Sequence, residues 1–401
     1  MSVGIIEFQA ERLTQVLAAR RLSQTQLATM VGVSPATISK WKSGQQAPER
    51  DALERLATVV NVTPEWFTRP VSNTLSKPLF RSNASALATA RAMLEKRMEW
   101  ANDLICTLEE YVDFPELNIP ERNFTNIDQI SDSDIEEAAI ECRKMWNLGS
   151  KMIPDLALAT ESNGIILIRE ETGVAQIEGL SAWNKNTNRP IILLAADKGN
   201  AFRSRFDLAH EIGHLILHKN TKDELKPERY KLKESQAHKF AGALLLPAES
   251  FANEVRLPPT LDSLLLIKQR FIISVAATIM RGNALGFISD EEKQSLYKRL
   301  SSRWGVKAEP GDDIRVPEQP RLLKRTLELL VSAGIVTLSG LSDFIGLSNT
   351  DIEMLTYLPE GYLSGEKADV VHLARLKNDT STPRDIIVKH DTDNVVNLFS
   401  K

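Results

Sequence analysis

The chain predicts a multidomain, mainly α-helical protein with an all-α bundle at its N-terminus, a central α+β part around a small sheet, and an α-helical C-terminal region. Three observations predict it. Residues 11–60 hold short amphipathic segments separated by capping and turn residues. Gly164–Arg169, Ile177–Trp183 and Arg189–Leu194 are apolar runs of strand length. From Phe206 onward the elements read as helices, punctuated by Pro, Gly and Ser. At 401 residues, a scale of about 150 residues per domain gives two or three domains. The 42% hydrophobic and 25% charged residues are those of an ordinary globular protein.

Composition also bounds the setting. Two cysteines, Cys106 and Cys142, fit a reduced compartment better than a disulfide framework. No basic stretch followed by an apolar one opens the chain, so no secretory signal is expected. The most apolar stretch, Leu264 to Met280, is broken by Lys268, Gln269 and Arg270 and does not read as a membrane span. A cytoplasmic protein with no membrane partner follows. The net charge of -4 argues against general coating of nucleic acid but allows a local basic face.

The N-terminal elements follow in order. Glu11–Arg21 has helical spacing, with Leu13, Val16 and Leu17 on one side. Ser23 caps a helix reaching Met30, and Gly32 supplies a turn. Ser34 caps the next helix, Pro35 takes its first position and Gly44 stops it. Asp51–Val60 is another amphipathic helix, so the region reads as a helix-turn-helix bundle. Residues 8 to 69 resemble the Xre/Cro-type DNA-binding family. The resemblance implies that the helix from Ser34 to Ser43 enters the major groove of a double-stranded operator. Ile38 and Trp41 then face the bundle, while Ser34, Ala36, Thr37 and Lys40 face base edges. Gln24 and Lys42 suit phosphate oxygens. Ala36 and the Thr37 methyl favour contact with thymine methyl groups. Such modules usually bind two half-sites as dimers, so a homodimer is expected; the alternative is a module that binds protein only.

Pro70–Pro78 reads as a linker that closes a first domain of residues 1–70. Residues 82 to 112 return to helix, with Leu87, Ala90, Leu94, Met98 and Leu104 at three- and four-residue spacing. That helix either pairs with its copy in a dimer or packs on its own chain. Asp113–Ser133 is loop-rich, which ends a connector spanning 71–134, and Ile135–Trp146 is a helix.

The densest chemistry is His210-Glu211-Ile212-Gly213-His214. Histidines four apart on a helix point the same way, so both imidazoles can reach one metal ion. The adjacent Glu211 then faces the metal's open position as a general base. This H-E-x-x-H pattern is the zinc-peptidase signature. Apolar neighbours at helical spacing (Phe206, Leu208, Ala209, Ile212, Leu215, Ile216) bury the helix, and imidazoles there need partners. The alternative is a helix with core histidines bonded to backbone. A third histidine at the metzincin spacing is absent, since position 220 is Asn220 and position 217 is Leu217. The other option is an acid on a following helix. Glu234-Ser-Gln-Ala-His-Lys-Phe-Ala-Gly-Ala-Leu-Leu-Leu-Pro247 is amphipathic, and Glu234 is its one interior acid. Zn2+ held by His210, His214 and Glu234, with Glu211 as base, is the expected zincin-like, gluzincin-like site.

These residues, with the strands before them, resemble the ImmA/IrrE family of metallopeptidases from about residue 135 to about 290. The resemblance implies a third ligand at Glu234. The family usually has asparagine where this chain has His238. His238 and His218 read as supporting or rim residues; Tyr230 and His238 are candidates to stabilise an oxyanion. Arg203 and Arg205 precede the helix, to hold substrate backbone or pair with the protein's own acids. Strand Ile177–Trp183 can grip an extended substrate by edge addition. The expected division is a peptidase domain at 135–255, a helical extension at 256–305 resembling a helix-turn-helix, and a C-terminal helical domain at 306–401. Ser274–Met280 in the extension reads as core rather than as a second DNA reader. The last domain holds helices around Arg321–Ala333 and Leu338–Gly346, with Ser348 capping another and a tail beyond Lys377. The preferred reading is a DNA-binding regulator with a zinc endopeptidase domain of conditional activity. It cleaves an Xre-type repressor, in trans or within itself, in a stress, prophage or toxin–antitoxin/defence circuit. The alternative is a regulator whose metallopeptidase fold is a sensor or scaffold.

Overall fold

The turn chemistry of the first sixty residues sets four helices: α1 (Ala10–Ala19), α2 (Gln24–Val31), α3 (Pro35–Lys42) and α4 (Arg50–Val60). The computed structural model describes residues 4–72, 74–80, 88–173, 177–197, 199–221, 227–305 and 308–365. Ser23 and Gln26 cap α2 reciprocally: Ser23 Oγ accepts from the Gln26 amide at 3.2 Å, and Gln26 Oε1 accepts from the Ser23 amide at 2.9 Å. Gly32 takes φ 76°, a left-handed turn closed to most residues. Ser34 Oγ then accepts from the Thr37 amide and starts α3. Leu13, Val16, Leu27, Ile38, Trp41, Leu53 and Leu56 are buried together.

Helix α5 (Ala88–Glu109) packs on this bundle. Its Trp100 is fully buried, edge-on to Trp66 at 5.6 Å, with the Arg20 guanidinium 5.0 Å from its ring. Buried Arg12 binds Asp103 of α5 at 2.5 Å and the carbonyls of Arg69 and Pro70. Packing on the same chain therefore uses the face that pairing with a second copy would need. Residues 82–87 of the expected helix, and the tail beyond Lys377, lie outside the described residues.

The sheet runs β1 (Leu79–Phe80), β3 (Gly179–Asn184), β4 (Arg189–Ala195), β2 (Ile166–Glu170). β2 is parallel to β4, with Ile166 opposite Ile191. β3 is antiparallel to β4, with Gly179 opposite Leu194, and β1 is antiparallel to β3, with Leu79 opposite Ser181. The three longer strands are buried on both faces, which explains why apolar residues dominate them without alternating. Leu167, Ile192 and Leu194 face a core that includes α6 (Asp132–Met145), α7 (Leu156–Ser162), α8 (Ala201–Leu217) and α9 (Pro227–Leu245). The helices α10 (Ala248–Glu254), α11 (Leu261–Phe271), α12 (Val275–Ala284) and α13 (Asp290–Trp304) extend it.

Ile166, Ile168, Leu180, Ala182, Ile191 and Leu193 face the other way, into one core shared with α1–α5. Helices α14 (Leu322–Ser332), α15 (Leu341–Ile345) and α16 (Asn349–Thr356) complete that core. Ser348 caps α16 as its sequence predicts. A buried charge cluster ties four elements together here. Asp351 of α16 takes Arg20 at 2.5 Å and Arg97 at 3.5 Å, and Arg97 takes Glu170 of β2 at 2.6 Å. The Arg69 guanidinium also donates to the carbonyls of Asp343, Phe344 and Ile345. The helix-turn-helix, the connector, the sheet and the C-terminal helices thus meet in a common interior.

Among the described residues no single helix is long and apolar enough to cross a membrane. The apolar stretch Leu264–Met280 divides between α11 and α12, bent by 101°. Its Lys268 is fully buried, paired with Glu309 and Asp312 and 4.2 Å from the Phe202 ring. In α12, Val275, Thr278 and Ile279 are buried, as expected of core, while Met280 is exposed.

One expectation is corrected. The outer edge of β3 is not open for an added strand: β1 pairs with it, Leu75 bridges Asn184, and the Ser76 amide donates to the Trp183 carbonyl at 2.7 Å. Periodicity showed no strand in the linker, because a segment this short takes its shape from the edge it covers rather than from its own pattern.

Candidate functional site

Helix α8 begins at Ala201, capped by the Asn200 side chain, so Arg203 and Arg205 lie inside it rather than before it. Arg205 is buried against Glu318 and the Ile153 carbonyl, which gives it to the protein's own acid. Arg203 is exposed. Two turns on, His210, Glu211 and His214 are 0%, 2% and 3% exposed. Helix α9 opens on Pro227, earlier than the amphipathic pattern starting at Glu234, because proline is well tolerated in a first helical turn. It crosses α8 closely at Gly213. A Cβ there would stand 3.0 to 3.2 Å from the Phe240 side chain, so any other residue would push Phe240 back by a few tenths of an ångström.

That approach brings Glu234 over both histidines. Its Oε2 lies 3.3 Å from His210 Nε2 and its Oε1 3.3 Å from His214 Nε2. Among the described residues these three form the cluster able to share a metal ion, with donor atoms within 4.8 Å of one another. Donors of a tetrahedral zinc with bonds near 2.0–2.1 Å stand about 3.3 Å apart, the spacing of each histidine from its nearer Glu234 oxygen, and two imidazoles with a carboxylate are a zinc donor set. Burial alone would raise the Glu234 carboxyl, but the two imidazoles hold it well below the usual carboxylate range.

The hydrogen bond at His214 Nδ1 follows from its surroundings. Gln236 donates its amide to the carbonyls of Ile127 at 2.8 Å and Ile130 at 3.2 Å, so Oε1 is the atom facing His218 Nε2 at 3.1 Å. His218 Nε2 must therefore donate. Burial first, then the neighbouring His214, pushes the His218 pKa well below its ordinary value, so its ring is neutral and its Nδ1 is an acceptor. His214 Nδ1 donates to that atom at 2.9 Å, and its Nε2 lies on the Glu234 side of the ring. Both ring nitrogens of His218 are thus engaged, one by His214 and one by Gln236.

Glu211 meets β3. Ser181 Oγ donates to Glu211 Oε2 at 2.8 Å, and a Cβ at Gly179 would come within 3.3 Å of Glu211 Oε1. His238 packs edge-on to His210 with centroids 4.5 Å apart, and its Nδ1 bonds the Glu234 carbonyl oxygen at 2.6 Å. Its ring braces His210 while one nitrogen serves its own helix. The Tyr230 phenol is pushed up, by burial first and then by the Glu234 carboxylate, against the pull of Arg91 on α5. It stays protonated and able to donate.

Residues 160–283 match the peptidase family described as the IrrE N-terminal-like domain, and residues 13–67 match the family described as helix-turn-helix. The chain joins a helix-turn-helix domain to an IrrE-like peptidase domain. No curated protein matches the chain. The IrrE-like match takes in β2–β4 and α8–α11, and so the whole His210, His214 and Glu234 cluster.

In the helix-turn-helix domain, α3 buries Ile38 and Trp41 and exposes Ser34, Ala36, Lys40 and Lys42. Thr37 is half-buried, its hydroxyl 2.9 Å from that of Ser34. Gln24 is also half-buried and lines a groove with Lys42 and with Thr89 and Ala92 of α5, so its approach to a phosphate is bounded by the connector. Sequence reasoning gave no role to Ser181 or Gln236. The signal for Ser181 was a lone hydroxyl in an apolar strand; for Gln236 it was a polar residue turned to the buried side of α9.

Proposed function

We propose that this chain is a DNA-binding regulator whose IrrE-like domain is a zinc-dependent endopeptidase. The observation that carries the reading is the relay Gln236–His218–His214, which holds the His214 ring with Nε2 toward the carboxylate of Glu234. A core histidine needs no such orientation; a metal ligand does. Bound zinc supplies Lewis acidity, lowering the pKa of water and polarising a peptide carbonyl. Glu211, oriented by Ser181, takes the proton of the attacking water and delivers it to the leaving amine. Tyr230, kept protonated, donates toward the developing oxyanion.

The substrate in this reading is an Xre-type repressor, in trans or within this chain, in a stress, prophage or toxin–antitoxin/defence circuit of the cytoplasm. Ser34, Ala36, Thr37 and Lys40 read the operator, with Gln24 and Lys42 at phosphates. The chain binds as a homodimer through surfaces other than α5, because helix-turn-helix modules read two half-sites. The test is zinc content by elemental analysis, with incubation alone and with candidate repressors, comparing wild type, Glu211→Gln and chelated protein. About one zinc per chain, and a fragment that requires both Glu211 and metal, is expected. Protein purified without zinc that binds none on addition overturns the enzymatic reading and leaves the scaffold alternative.

A further inference from the structure

The segment that covers β3 runs where an extended substrate would lie. It is antiparallel to β3 from Thr74, whose carbonyl accepts from the Lys185 amide at 2.7 Å, to Phe80, opposite Leu180. Ser76 makes two bonds to Trp183: its amide donates to the carbonyl at 2.7 Å, and its Oγ accepts from the amide at 2.9 Å. Leu79 stands opposite Ser181, the residue that holds Glu211. The edge beside the proposed base is filled by the chain itself, backbone to backbone. The chain before the segment is held by Arg12 of α1, which binds the carbonyls of Arg69 and Pro70, and Asn102 of α5 donates to the Thr74 hydroxyl at 3.0 Å.

We propose that residues 74–80 are an autoinhibitory strand, which occupies the substrate edge of β3 and must leave before a protein substrate can bind. The proposal rests on the peptidase reading above. An edge strand satisfies its open backbone groups with whatever extended chain is nearest, and a tethered segment competes at high effective concentration. The strand leads directly from the helix-turn-helix domain. Displacing that domain from α5 would break the Arg12–Asp103 pair and pull on the strand that follows the domain.

The test uses the zinc-loaded full chain and two probes: acetohydroxamate, which reaches only the metal, and an extended peptidyl hydroxamate, which also needs the β3 edge. Ser76→Pro removes the amide donor and the hydroxyl acceptor; Ser76→Ala removes the acceptor alone. With two hydrogen bonds lost, the peptidyl probe should bind Ser76→Pro about tenfold more tightly than wild type, and Ser76→Ala by a few-fold. Acetohydroxamate should bind all three alike. In wild type, hydrogen exchange at the Ser76 amide should speed up when the peptidyl probe is bound. Unchanged peptidyl affinity in both variants, or a Ser76 amide as protected with the peptidyl probe bound as without it, overturns the autoinhibitory strand while leaving the peptidase reading intact. Failure of acetohydroxamate to bind the wild type overturns the zinc reading itself, and the proposal with it.

Discussion

Helix α3 turns Ser34, Ala36, Lys40 and Lys42 to water and buries only Ile38 and Trp41, whereas α8 buries His210, Glu211 and His214, with buried His218 capping its end. Both helices carry polar residues at the positions proposed for function, but the consequences differ. A polar side chain in water costs nothing while it waits for a partner. One in the interior must be satisfied by the protein, at a cost of roughly 1–3 kcal/mol if it is not. The outside of α3 therefore has few supporting contacts, and its residues can be exchanged one at a time. The inside of α8 depends on Ser181, Gln236, His238 and Gly213, which belong to other elements or to the approach between them.

Breaking the interior set at a proposed ligand should give the largest effect. Glu234→Ala should lose zinc altogether, read by elemental analysis, because two imidazoles remain where three donors were needed. Removing a support should cost less. Gln236→Leu frees the His218 tautomer and should weaken zinc binding by about 10–100-fold, measured with a competing chelator, with helix content unchanged. If zinc affinity is unaffected, the relay has no orienting role.

The exterior set should behave otherwise. Lys40→Ala should weaken binding to a DNA site selected from random sequence by roughly tenfold and leave the melting temperature and zinc content as they were. A fall in melting temperature would show that α3 is not the independent surface described here.

A smaller effect should appear where another buried acid docks the C-terminal helices. Glu161 of α7 accepts the amides of Arg321 and Leu322 at 3.0 Å at the start of α14. Burial pushes its pKa up to about 7, against those two donors. An acid raised in the folded state binds its proton more tightly there than when unfolded. The stability it contributes is therefore full below the unfolded value and lost as pH rises through about 7. Between about pH 6 and 8 the loss should be on the order of 1 kcal/mol, absent in Glu161→Gln, as followed by denaturant unfolding. Equal slopes in both proteins would remove Glu161 from the account.

Much of the site was legible because its parts are local. His210, Glu211 and His214 share one helix, and four-residue spacing puts them on one face wherever that helix lies. The capping residues Ser23, Ser34 and Ser348 act within three residues of themselves, so the α2, α3 and α16 boundaries follow from chain chemistry. The early start of α9 and the entry of Arg203 and Arg205 into α8 were less legible, since charged first turns look the same in a loop and a helix.

By itself, the sequence determined which helices form, which stripe of each is apolar, and that imidazole and carboxylate groups sit where apolar residues would otherwise be. Tertiary structure decided what those groups face. It brought Glu234 within 3.3 Å of both histidines across Gly213, and lined Gln236 up behind His218. It laid residues 74–80 along β3 and gathered Arg20, Arg97, Glu170 and Asp351 from four elements into one buried cluster. The physical reason is range. Helix capping and periodicity are set within a turn or two of chain, whereas edge pairing and buried charge pairing join residues up to 331 positions apart, and nothing in local spacing encodes which will meet.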